Sequence, residues 1–226
     1  MKDFNTGNQN KADIIEKTAA YVKKRFSGEG TGHDWWHMYR VWQLSKTIAA
    51  EEKQANIFVV ELGALLHDIA DWKFHDGDEE AGPKAAREWL ESIKVDEVVI
   101  AHIEDIIRTV SFKGAGVPSN MKTIEGKIIH DADKLDALGA IGIARTFAYG
   151  GANNRGIYNP DDKPKSHKFF EEYKKDKGAS INHFYEKLLL LKDRMYTETG
   201  KKLAQHRHKY IEEYLKEFYA EWGGEL

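Results

Sequence analysis

Apolar residues crowd one stretch of this chain more densely than any other. From Asn56 onward Ile57, Phe58, Val59, Val60, Leu62, Ala64, Leu65, Leu66 and Ile69 fall on almost every side of a helical period, the pattern of a helix buried all round. The spacing predicts a helix capped by Asn56 and ending near Lys73. Into it the sequence places His67, Asp68 and Asp71. Desolvating a carboxylate costs several kcal/mol unless a partner or a metal compensates it, so something should be bound there. On a helix His67 and Asp68 point about 100° apart and can converge on one ion, with Asp71 one turn beyond His67. An adjacent His and Asp can also simply hydrogen-bond each other, and for the pair alone that structural reading comes first.

The other periodic segments are helical too. After roughly ten polar, disordered residues, Ile15, Ala19, Val22 and Phe26 mark a first helix that SGEGTG stops. In GHDWWHMYRVWQLSKTIAAEE, His37 shares a face with Val41, Leu44 and Ile48, while His33 and Asp34 stand at the helix start, Asp34 equally as an N-cap. Lys84 to Ile93 predicts a helix with Ala85, Trp89 and Ile93 inward. Asp96 caps another with Val99, Ile103, Ile106 and Val110, beside which His102 is a boundary residue. Ser180 caps a helix with Phe184, Leu188, Leu191 and Met195 inward, and a last helix turns Leu203, Tyr210, Tyr214 and Phe218 inward. No segment alternates with the period of a strand, no unit repeats and no glycine-rich phosphate loop follows a strand. The expected fold is all-α.

Between these helices lie segments of a different character. FHDGDEEAGP reads as an acidic loop in which His75 and Asp76 are solvated, and SFKGAGVPSNMK leaves Lys113 at a turn. GGANNRGIYNPDDKPK, between Tyr149 and Ser166, is too long for a simple connector and is either a lid or a disordered insertion. His206 and His208 stand among Lys and Arg and read as solvated. The segment TIEGKIIHDADKLDALGAIGIARTFAYG adds Asp131, Asp133 and Asp136 to a tightly packed apolar pattern, in which Gly126, Gly139 and Gly142 usually permit a close neighbour. Such carboxylates are tolerated where they reach a cavity or a cation. Spacing alone does not choose among the three.

Composition narrows the chemistry. The chain has 226 residues with 34 basic against 37 acidic side chains, so neither a nucleic-acid groove nor an anionic membrane is suggested as the main partner. Cysteine is absent, which leaves His and carboxylate as the available metal ligands. A polar N-terminus and the lack of a membrane-length apolar run give a cytoplasmic protein as the expectation.

Inward-facing ionisable groups thus come from three helices: His37, then His67 with Asp68, then a carboxylate of the HDADKLD run. Two imidazoles and two carboxylates leave room on an octahedral divalent ion for water and substrate, and suit Mn, Fe, Co or Ni better than Mg. The segments GHDWWHMYRVW, LLHDIADWKF, IIRTVSFKG and HDADKLDALGAIGIARTF, in that order, resemble the HD-domain metal-dependent phosphohydrolases. The resemblance runs from about Gly32 to Arg155.

It implies a single HD-type helical domain over residues 1–226, a helical bundle with its metal-site core at about 32–155 and additional C-terminal helices at 166–222. It assigns one divalent metal, with Mg also admissible, to His37, His67, Asp68 and Asp133. Asp71 falls where family members place a carboxylate that orients or deprotonates the attacking water. The implied activity is hydrolysis of phosphoester or phosphoanhydride bonds, most naturally in nucleotides, with His33, Lys113, Lys134 and Arg145 as candidates for contacting the substrate and homodimerisation left open. Val110 stands where some relatives carry a further His, which counts against a second, His-bridged ion. The alternatives are a non-catalytic metal- and nucleotide-binding sensor and, further off, an HD-type di-iron oxygenase.

Overall fold

Side-chain caps set the starts of four helices. In the computed structural model, which describes residues 4–27, 34–70, 78, 80–110, 120–165 and 178–225, with side chains from residue 10 on, the order is α1 Phe4–Arg25, α2 Trp35–Ala49, α3 Ile57–Leu66, α4 Ala81–Ser92, α5 Glu97–Val110, α6 Ile124–Asp136, α7 Gly139–Ala152, α8 Asn182–Glu186, a 3-10 helix Leu188–Arg194, and α9 Glu198–Gly223. No strand occurs among the described residues. Asp34 caps α2 by accepting from His37 N at 3.0 Å, and Asn56 caps α3 by accepting from Phe58 N at 3.2 Å. Asp96 accepts from Val98 N at 2.9 Å at the start of α5, and Thr197 accepts from Gly200 N at 3.0 Å at the start of α9. Each satisfies a backbone donor that the first helical turn leaves free. Among the described residues no helix is long and apolar enough to cross a membrane.

The contacts fall into two compact units. The first holds α1 to α5 and α6 as far as His130; the second runs from Asp131 onward. Within the first unit α3 packs against α1, α2 and α5, and α4 against α5. Val59, Val60, Leu62, Leu65 and Leu66 are almost wholly buried. Gly63 lets α6 approach: a Cβ there would lie 2.6 Å from Ile129 Cδ1. Arg87 of α4 reaches across to Glu97 and Glu104 of α5, and Trp89 donates to Thr18 of α1 at 3.0 Å.

Within the second unit α7 and the 3-10 helix pack on α9. Gly139 has φ +72°, a left-handed conformation that suits glycine at the start of α7, and a side chain at Gly142 would collide with the carbonyl of Ala137. These two glycines therefore make the turn between α6 and α7 in addition to close packing.

Several expectations need correction. α1 opens at Phe4 rather than after a polar tail. α3 stops at Leu66, not near Lys73, because the His67 side chain turns back onto the Ala64 carbonyl, one of those that a helix end leaves without an intrahelical donor. Residues 153–165 are not a disordered insertion: Ser180 N donates to Gly156 O, Ile181 N to Ile157 O and Ala179 N to Asp162 Oδ2, while Tyr158 packs on Phe218, Tyr219 and Trp222. The helix expected after Ser180 is split into α8 and the 3-10 helix, although Phe184, Leu188, Leu191 and Met195 are buried as expected. On α9 the buried stripe is Ala204, His208, Ile211 and Leu215, with Tyr210 exposed. His208 is 6% exposed rather than solvated, since it lies one turn from both Ala204 and Ile211 on the inward face.

Candidate metal centre

His37 is brought inside by the register of α2. Capping by Asp34 starts the helix at Trp35, which turns His37 inward with Met38, Val41 and Ile48. Asp34 is therefore a cap, and His33 lies outside the described residues. His67 arrives from the end of α3, where its Nδ1 sits 2.8 Å from the Ala64 carbonyl oxygen. A carbonyl only accepts, so Nδ1 donates to it and Nε2 is turned the other way. That Nε2 lies 3.3 Å from His37 Nε2. Asp68 Oδ2 lies 3.5 Å from His37 Nε2 and 3.6 Å from His67 Nε2.

α6 supplies the next carboxylate candidate, Asp133. His37, His67 and Asp133 each offer one ligand atom, and all of these atoms lie within 4.8 Å of one another. The donors fit a divalent cation. A nitrogen spacing of 3.3 Å is close to that of two imidazoles on one ion at bond lengths of about 2.0–2.1 Å, and the convergence of lone pairs with carboxylates makes a negative centre. His37, His67, Asp68 and Asp133 are the residues that would hold it.

The structure also gives each carboxylate of the HDADKLD run a distinct environment. Asp131, wholly buried, accepts from Thr197 N at 2.7 Å, from Thr197 Oγ1 at 2.8 Å and from Tyr196 N at 3.0 Å. Asp136, also buried, accepts from Arg145 Nη1 at 2.8 Å. Asp133 is the one grouped with the imidazoles, and its Oδ2 accepts from the buried Lys134 ammonium at 2.9 Å. Lys134 and Arg145, singled out as substrate contacts, thus each touch a carboxylate. His102 meets Thr123 Oγ1 at 3.0 Å, outside the centre.

Asp71, Lys113 and the second dipeptide His75 and Asp76 lie outside the described residues. Sequence reasoning missed the role of Tyr196, Thr197 and Arg207 around α6. A Thr just before the polar ETGKK run is a recognisable N-cap signal, but nothing in sequence joins it to Asp131.

Comparison with known proteins bears on the same residues. The profile of the HD domain matches residues 35–138. YpgQ of Bacillus subtilis strain 168 is 34% identical over 203 residues, which span 89% of this chain and 90% of YpgQ. A crystal structure of YpgQ in complex with ADP superposes with a TM-score of 0.74 at 30% identity, covering 94% of this chain and 96% of YpgQ. An HD-superfamily hydrolase from Bacillus thuringiensis gives a TM-score of 0.72 at 43% identity, over 94% of this chain and 98% of that one. A protein from Lactobacillus plantarum gives 0.82 at 33% identity, over 93% and 97%.

Proposed function

The chain belongs to the HD-domain superfamily, and from that premise we propose that it is a metal-dependent phosphohydrolase acting on nucleotides. The observation that carries the reading is the convergence of His37 Nε2 and His67 Nε2 at 3.3 Å, with Asp68 and Asp133 beside them. The ADP bound by YpgQ supports a nucleotide as the substrate class.

His37, His67, Asp68 and Asp133 hold one divalent transition metal. When bound, such an ion acts as a Lewis acid toward a phosphoryl oxygen and lowers the pKa of a water in its shell. The Ala64 carbonyl keeps the His67 ring in the tautomer that presents Nε2. Lys134 donates to Oδ2 of Asp133 and would help to orient that carboxylate toward a bound cation. Asp71 accepts the proton of the attacking water as the new P–O bond forms and the bond to the leaving group breaks. His33, Lys113, Lys134 and Arg145 are the candidates for balancing the phosphate charge.

The test is phosphate release from nucleoside mono-, di- and triphosphates with Mn, Fe, Co, Ni and Mg in turn, alongside metal analysis. Metal-dependent release is expected, and Asp71→Asn should retain metal while losing roughly 100-fold to 10,000-fold in turnover. Metal and ADP binding without release from any substrate would replace the enzyme by a sensor. Wild-type turnover by a folded, metal-loaded Asp71→Asn would remove Asp71 from the reaction.

A further inference from the structure

α9 grips α6 on both sides of Asp133. Two residues before it, the buried Asp131 carboxylate accepts from Tyr196 N, Thr197 N and Thr197 Oγ1 at 2.7–3.1 Å. The hydroxyl that donates to Asp131 also caps α9 through Gly200 N at 3.0 Å, and a side chain at Gly200 would collide with the Asp131 carboxylate. The fit is therefore close as well as directional. Two residues after Asp133, the carbonyl of Leu135 accepts from Arg207 Nη1, next to Asp136, which Arg145 holds at 2.8 Å. The Arg207 pKa is lowered chiefly by burial, with Asp136 opposing that shift. The two sets of bonds thus bracket Asp133 along α6.

The donors of both clamps, Tyr196, Thr197 and Arg207, lie beyond the HD-domain match, which ends at 138. We infer that Asp131, Thr197 and Arg207 are positioning residues that hold α6 so that Asp133 reaches the metal, making the C-terminal helix part of the metal centre. This rests on the metal site proposed above. A ligand carboxylate displaced by an ångström loses much of its contribution, so the clamp acts on metal affinity as well as on stability.

The experiment is a titration of metal-free full-length protein with Mn2+, well below every melting transition, on wild type, Thr197→Val, Thr197→Ser, Arg207→Gln and Phe184→Leu. Phe184 is a buried residue of the same unit that packs on Phe147 and Tyr214, and its replacement is a purely structural lesion. Thr197→Val should weaken Mn2+ binding about 10-fold to 100-fold, the range for supporting residues around a metal. Thr197→Ser, which keeps the hydroxyl, should restore it, and Phe184→Leu should lower the melting temperature without changing affinity. Arg207→Gln reads the second clamp should Thr197→Val fail to fold. Wild-type affinity in a folded clamp variant overturns the positioning role alone, as does an equal loss in Phe184→Leu. If wild type binds Mn2+ no better than Asp68→Ala, the metal site fails and this inference with it.

Discussion

α3 and α6 both deliver ligand candidates to the centre, but they surround them differently. Along α3 every residue from Phe58 to Leu66 except Glu61 is apolar or glycine and buried, and the Ala64 carbonyl orients His67 at its end. α6 buries Glu125, His130, Asp131, Lys134 and Asp136. Glu125 accepts from Asn56 N at 2.8 Å, Lys134 donates to Asp133, and Asp131 and Asp136 are held as described. The first helix is positioned by shape, the second by directional bonds. Shape tolerates exchanges that conserve volume, whereas a polar network with one member removed leaves the others unsatisfied.

The largest effect should come where the two helices meet in function. We predict that Asp68→Ala abolishes both stoichiometric metal binding and hydrolysis, as elemental analysis and phosphate release would show. Full metal content in that variant would remove Asp68 from the ligand set.

Next, Asp131→Ala should break the network of α6. It strands two backbone N–H donors and a hydroxyl, each costing about 1–3 kcal/mol, so denaturant unfolding should show a loss at the high end for one substitution. A loss under about 0.5 kcal/mol, the range of ordinary surface changes, would show that water replaces the carboxylate.

His183 of α8, half-buried, adds a titrating group away from the metal centre. Burial first, then the nearby Lys187 and Arg155 charges, push its pKa down to about 3 from 6.5. Because the folded state holds the ring neutral, this contribution is intact above pH 6.5 and is lost as the pH falls toward 3. Stability should decline by up to about 1.4 kcal/mol per pH unit in that window. His183→Gln should flatten the profile there, and an unchanged slope would assign the loss to other groups.

Smaller still is Gly63→Ala, whose methyl meets Ile129 Cδ1 at 2.6 Å. Overpacking of this kind costs about 1–3 kcal/mol, and adding Ile129→Val should recover part of it in a double-mutant cycle. Additive effects would mean that α6 moves instead of the side chain. The smallest effect is expected for Leu65→Met in the apolar sleeve of α3, under about 1.5 kcal/mol by thermal unfolding. A larger loss would show that α3, too, depends on a specific fit.

The sequence by itself determined the class of the fold, the buried character of α3 and the inward turn of His37. Those follow from periodicity and caps, which act within a few residues. Asn56 and Asp96 could be recognised as caps for the same reason, and buried Phe184, Leu188, Leu191 and Met195 were legible although their helix was not continuous. Where a helix stops was less legible: α3 ends at Leu66 because of a side chain folding back on a carbonyl, and α6 ends at Asp136 because Gly139 and Gly142 admit a turn. The face of α9 was misread because Lys and Arg neighbours in sequence lie on other sides of the helix from His208.

The family resemblance singled out Asp133 as a ligand candidate, but only the tertiary structure gave Asp131 and Asp136 their partners. Asp131, Asp133 and Asp136 are of one chemical type within six residues of sequence, and no local rule separates them. Their partners, Thr197, the paired imidazoles and Arg145, come from α9, from α2 and the end of α3, and from α7. The physical reason is that a buried charge is assigned by what compensates it in space, and for Asp131 that partner lies some sixty residues away along the chain.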